Sequence, residues 1–239
     1  MNFSYYLFLF YLYSVIGWLS ESLYVEFRNK KFVDRGFLIG PYCPIYGCGA
    51  LIMIIYLTQY KDNPLTVFLL GALLCSILEY LTSYIMEKLF NARWWDYSKD
   101  RFNFNGRICL KNSVLFGIGG LAVIYIGQPL ITKLIPNTTK HLSIITIIIT
   151  VIFILDLITS LKVVSSFKRT IKNIDVKKDS TSEFTKLVKD TLQKNKKVFQ
   201  KRLYAAYPNI DLSRLINIKN DLKNEIEEIK DDLKELLKK

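Results

Sequence analysis

Residues 141–161 read HLSIITIIITVIFILDLITSL, and Asp156 is the one acid in that run. A helix rises about 1.5 Å per residue, so roughly 20 apolar residues cross the ~30 Å hydrocarbon layer of a bilayer. Four further stretches approach that length and character: 5–26, 38–57, 65–89 and 109–131. The N-terminus has no Lys or Arg ahead of its apolar run, so 5–26 reads as the first span and not as a cleavable signal peptide. The predicted fold is therefore all-α: a polytopic membrane bundle of about five spans over residues 1–161, then a basic helical tail over 162–239.

Charge agrees with this division. Up to Leu161 the chain carries 13 Lys/Arg and 9 Asp/Glu; from Lys162 onward it carries 20 and 12, so 8 of the 12 net positive charges lie in the tail. Arg28, Lys30, Lys31 and Arg35 sit between the first two spans. Lys88, Arg93, Lys99, Arg101, Arg107 and Lys111 sit between the third and fourth. The other connections hold only Lys61, then Lys133 and Lys140. The positive-inside rule places both rich loops and the tail in the cytoplasm, with the N-terminus outside. An odd number of spans is required for that, and five supplies it. A basic tail beside membrane spans faces lipid headgroups, so nucleic acid is not the expected partner.

Several chemistries are missing. There is no GxxxxGK[ST] phosphate loop, no HExxH and no GxSxG. Cys43, Cys48, Cys75 and Cys109 form no zinc-type spacing, and the single histidine, His141, falls on the outer side. No metal, cofactor or Ser/His catalytic group is expected, and an embedded enzyme would have to work through carboxylates, Lys, Tyr or Cys.

Polar residues at membrane depth remain. An ionisable group at the centre of a span costs about 2.5–3.5 kcal/mol on insertion scales, so it normally meets a partner or a wet cavity. Glu21, Glu79 and Asp156 lie in the middle or inner half of their spans. Ser76, Glu79, Ser83 and Glu87 share one narrow helix face, as do Ser14, Gly17, Glu21 and Tyr24. Residues 35–50, RGFLIGPYCPIYGCGA, hold two prolines and four glycines and cannot form one continuous helix. Such backbone is tolerated at membrane depth only where protein or water satisfies it. The acids beside the basic inner loops suggest a polar cavity open to the cytoplasm; the second helix proper is expected to start near Pro44 and point its positive end into that cavity, which suits an anionic group. In the loop 91–112, Trp94, Trp95 and Tyr97 are placed to anchor at the headgroup level, and Arg107, Lys111 and Asn112 add donors. Together these give a candidate pathway of Glu21, Glu79, Arg35, Tyr42, Tyr46, Arg107, Lys111, Asn112 and Asp156. The same acids would serve equally as partners of Arg35, Arg107 or Lys111 that only hold the bundle together.

The segments RGFLIGPYCPIYGCGAL, LEYLTSYIMEKLFNARWWDYS and FNFNGRICLKNSVLFGIGGL closely resemble bacterial membrane proteins of the putative ABC-transporter type IV permease family, over about residues 5–161. The resemblance implies a multi-pass permease of the bacterial inner membrane, with a separate ATPase subunit as partner.

In the tail, Ser180 and Glu183 form a capping box. Phe184, Leu187, Val188, Leu192, Phe199 and Leu203 give a stripe, and Tyr207–Asp211 breaks it. Leu215, Leu222, Ile226, Ile229, Leu233 and Leu236 run close to heptad spacing. A helical hairpin or coiled coil over 180–239 is predicted, with homo-oligomerisation or partner docking as its use; a Lys-rich helix lying on lipid is the alternative. The functional expectation is a transporter component for a small polar or anionic solute. A membrane-embedded enzyme on a lipid-linked substrate and a scaffold acting through the tail are the alternatives.

Overall fold

A computed structural model describes residues 3–30, 32–135 and 141–172, together with Phe199, Arg202 and residues 205–207. Its elements are α1 (Phe3–Asn29), α2 (Pro44–Leu57), α3 (Pro64–Phe90), a two-stranded hairpin β1 (Asn103–Phe104) and β2 (Ile108–Cys109), α4 (Leu110–Ala122), α5 (Gln128–Leu134) and α6 (Leu142–Lys172). A five-residue π turn, Val123–Gly127, joins α4 to α5 without a break. Pro129 explains it: a proline cannot donate to the preceding turn, and a wider turn absorbs the lost bond.

Among the described residues, four helices are long and apolar enough to cross a membrane: Phe3–Phe27, Pro64–Phe90, Leu110–Leu134 and Leu142–Ser165. The span expected over 38–57 is different. It is helical only from Pro44, has 14 residues and ends in a short 3-10 turn, Thr58–Tyr60. Its proline occupies the first turn, where the missing N–H costs nothing. Residues 32–43 before it are non-helical, as the prolines and glycines required.

The apolar α2 lies between α1 and α3, α4 packs along α3, and α6 lies against α1. One core cluster joins Tyr5, Leu9, Tyr13, Ala50, Ile54, Ile131 and Leu142; a second joins Met53, Leu57, Val67, Cys75 and Ile124. Close packing of α3 on α4 depends on Gly117: a Cβ there would stand 2.6 Å from the Phe68 ring and 2.9 Å from the Phe68 carbonyl oxygen. Ile144, Ile147, Ile148, Val151, Ile152 and Leu155 of α6 are exposed. Such a surface would be costly in water and is the natural face for lipid.

Aromatic contacts bring the two arginine-rich loops and the described part of the tail to the same end. The Phe37 and Phe90 rings are 5.5 Å apart, and Trp94 meets Tyr207 at 4.9 Å. Tyr125 on the π turn donates to the Lys61 carbonyl at the other end, at 2.6 Å. The expected capping box, the heptad run and the coiled coil lie outside the described residues.

Candidate functional site

The first part of the site is made where α1 meets α2. Gly17 has no Cβ, and one built there would lie 2.2 Å from Cγ of Tyr46. That space admits the Tyr46 ring against α1, and its hydroxyl donates to Glu21 Oε1 at 2.9 Å. Arg35 Nε stands 3.5 Å from the other carboxylate oxygen, Oε2. Glu21 is thus shared between a phenol and a guanidinium near the positive end of α2, a favourable place for an anion. Cys43, the residue before that helix, makes no side-chain cap; its N–H donates to the Ser14 carbonyl at 2.9 Å and ties the loop to α1.

The second part hangs on α3. Ser76, Glu79 and Ser83 are all buried, with Glu79 only 7% exposed, as the shared helix face predicted. The loop after α3 folds back to reach them. Asn91 ends the helix in the left-handed region (φ 52°). Asn105 and Gly106 turn the hairpin at positive φ, and Tyr97 N–H donates to the Gly106 carbonyl at 2.8 Å. This delivers the Tyr97 hydroxyl to Glu79 Oε1 at 3.0 Å. Asn112, in the first turn of α4, lies at the same carboxyl. Glu79 Oε2 is buried with no hydrogen-bond partner among the described residues. Burial, and then the Glu79 carboxylate, push the Tyr97 phenol well above its ordinary range. Tyr97 is therefore a fixed donor at any ordinary pH. Among the described residues no three His, Cys, Asp or Glu side chains come together as a metal site.

Other candidates are placed elsewhere. Asp156 serves the non-helical loop: Oδ1 accepts from Ile39 N–H at 3.1 Å, Oδ2 from Gly40 N–H at 2.7 Å, and the Tyr42 hydroxyl also donates to Oδ2. Ser160 donates to the same carboxylate at 3.0 Å. An acid in the middle of α6 thus pins backbone that has no helix of its own to satisfy it. Arg107 is buried, with Nη2 at 2.9 Å from Glu87 Oε2, Nη1 donating to Ser83 at 3.2 Å, and the guanidinium over the Tyr80 and Tyr84 rings. Lys111 is exposed.

The aromatic trio turns inward. Trp94 is 4% exposed and packs against Phe37, Phe90 and Tyr207. Trp95 donates to the Arg107 carbonyl at 3.3 Å, and Tyr97 reaches Glu79. Their spacing in sequence suggested headgroup anchors because a Trp-Trp-x-Tyr run carries no sign of which way the loop folds.

At the opposite end, an open recess of about 700 Å³ is lined by Thr58, Lys61, Asp62, Tyr125, Gln128 and Lys133, among others. The sequence reading missed this recess. It also missed Asp34, which accepts from Trp18 Nε1 at 2.8 Å and from Arg202 of the tail. No periodicity marks either one.

The family described as Putative ABC-transporter type IV matches residues 8–161. The chain belongs to that family. The match covers α1 to most of α6, including every residue of the Glu21 and Glu79 clusters, and stops before the tail. With this family and four membrane-length helices, the chain is a multi-pass membrane protein of a transporter type. No curated protein and no solved structure matches it.

Proposed function

We propose that this family member is the membrane component of a transporter for a small polar solute, and that the solute passes the Glu79 carboxylate. The reading places five spans in a bacterial inner membrane, counting α2, with the N-terminus outside and the tail in the cytoplasm. The observation that carries it is Glu79 itself. A carboxyl buried at membrane depth, met among the described residues by the neutral donors Tyr97 and Asn112 and by no cation, is expensive unless something else meets it for part of a cycle. Glu21, Arg35 and Tyr46 continue the polar line towards the arginine-rich end, and the recess around Gln128 supplies an opening at the other.

The sequence also admitted an anionic solute, on the strength of Arg107 and Lys111. Arg107 is held by Glu87 and Ser83, and Lys111 points to the surface, so the groups left beside Glu79 favour a neutral or donor-bearing solute. Energy would come from a separate ATPase subunit, docking at the cytoplasmic end.

The test compares cells lacking the protein with cells given back the native chain or Glu79→Gln, by untargeted profiling of intracellular small molecules. The native chain should restore a specific set of solutes, and Glu79→Gln at equal membrane abundance should not. Full restoration by Glu79→Gln would remove Glu79 from the pathway. Purification in mild detergent should bring down a stoichiometric P-loop ATPase. A scaffold reading draws support from Asp156 and Arg107, whose bonds are structural; it expects Glu79→Gln to behave as native.

A further inference from the structure

The tail returns to the bundle at a defined place. Arg202 lies 30 residues beyond the last helical residue of α6, Lys172. Even so, its Nε is paired with Asp34 Oδ2 and its Nη2 donates to the Leu38 carbonyl. Ala206, one helical turn on, is completely buried. Tyr207 meets Trp94 edge-on, with centroids 4.9 Å apart and planes at 82°, and the Arg35 guanidinium lies 5.5 Å from the centre of its ring. Arg35 is also the cation facing Glu21. Charges on Glu21, Arg35 and Arg202, together with Cys43, all reach the Tyr207 phenol.

We propose that the tail residues Arg202, Ala206 and Tyr207 form an intramolecular plug, seated on Asp34, Leu38 and Trp94 and covering Arg35, the cation that faces Glu21, at the arginine-rich end of the bundle. The receptor surface is specific in its chemistry. Its carboxylate and adjacent backbone carbonyl match the forked donors of an arginine, which a point-charge lysine cannot duplicate. Trp94, backed by Phe37 and Phe90, presents an aromatic wall to one ring. The segment around Arg202 is rich in lysine (Lys194, Lys196, Lys197 and Lys201), yet it is an arginine that makes the seat. With the plug in place, Arg35 is held between Glu21 and an aromatic face. The proposal concerns access to the same polar cluster as the transport reading, but it rests on contacts within the chain.

Cys43 reports on it directly. Its side chain is 6% exposed and belongs to the non-helical 32–43 loop that Arg202 holds through Asp34 and Leu38, whereas Cys75 and Cys109 are buried elsewhere in the bundle. The full chain in mild detergent is treated with a polar maleimide, and labelling at each cysteine is read by peptide mass spectrometry. Tyr207→Ala and Arg202→Glu should each speed Cys43 labelling about tenfold or more, with Cys75 and Cys109 unchanged. Tyr207→Phe, which keeps the ring, should stay protected. Combining Asp34→Arg with Arg202→Glu should return part of the protection, since the ion pair is restored but the donor to the Leu38 carbonyl is not. Native-like protection of Cys43 in both Tyr207→Ala and Arg202→Glu would overturn the plug. So would parallel exposure of all three cysteines in both variants, since the segment would then merely support the fold. The labelling needs no solute, so its outcome is independent of whether Glu79 carries one.

Discussion

The Tyr46 hydroxyl reaches Glu21 at 2.9 Å across the α1–α2 contact because Gly17, one turn before Glu21, leaves the space that the Tyr46 ring occupies. Gly17→Ala would place a methyl group 2.2 Å from Tyr46 Cγ, with Cβ only 2.4 Å away, so the α1–α2 seam would have to open. Overpacking of this kind typically costs about 1–3 kcal/mol. Thermal unfolding in detergent should fall for Gly17→Ala. It should fall much less for Tyr46→Phe, which loses only a hydroxyl.

Removing Asp156 should release the loop before α2. Asp156→Ala leaves the Ile39 and Gly40 N–H groups without the carboxylate, although Ser160 Oγ stands 3.1 Å from Ile39 N and keeps one of them satisfied. A lost hydrogen bond to a charged group is worth about 1.5–3 kcal/mol. Asp156→Asn keeps one acceptor oxygen and should be milder. Limited proteolysis within 36–43 should rank Asp156→Ala as most cleaved, Asp156→Asn as intermediate, and Ser160→Ala close to native.

Arg107 offers a test of sharing. Breaking a buried ion pair by removing one partner commonly costs about 3–5 kcal/mol, because the other charge is stranded. Here Arg93 Nε is also 3.2 Å from Glu87 Oε2, so Glu87 keeps a cation when Arg107 is lost. Arg107→Ala should therefore cost less than that range, and Arg93→Ala less still. The double variant should exceed the sum of the two. A double-mutant cycle on unfolding in detergent measures the coupling.

The Asp96 turn that leads into Tyr97 should loosen in acid. Asp96 accepts from Ser98 Oγ and N–H and lies 3.5 Å from Arg93, and these contacts outweigh partial burial to hold its carboxyl below the usual range. A carboxyl depressed in the folded state stabilises above its unfolded value of about 3.9 and loses that contribution as pH falls through the folded value. The protection factor at Ser98 N–H, corrected for the intrinsic exchange rate at each pH, should be higher at neutral pH and fall below about pH 4. Asp96→Asn should remove the acid transition.

The chain's own residues made its membrane character plain. Runs such as IITIIITVIFIL have no other low-energy environment, and a bilayer imposes one length on any helix that crosses it. Pro44 marked the start of α2, because a proline suits only the first turn, and the 3.6 period placed Ser76, Glu79 and Ser83 on one buried face. These are local rules, readable over a few residues. The roles of the other polar groups were not readable in this way. Asp156 and the loop it pins are more than 110 positions apart. Arg107 finds Glu87 only because the hairpin turns back over α3. Tyr97 points to Glu79 instead of the headgroups for the same reason, and Arg202 meets Asp34 across 168 residues. Hydrophobic periodicity is set by which face a helix buries, and it says nothing about which distant charge will arrive there; that is settled when the helices pack and each buried polar group must find a partner or remain, like Glu79 Oε2, without one.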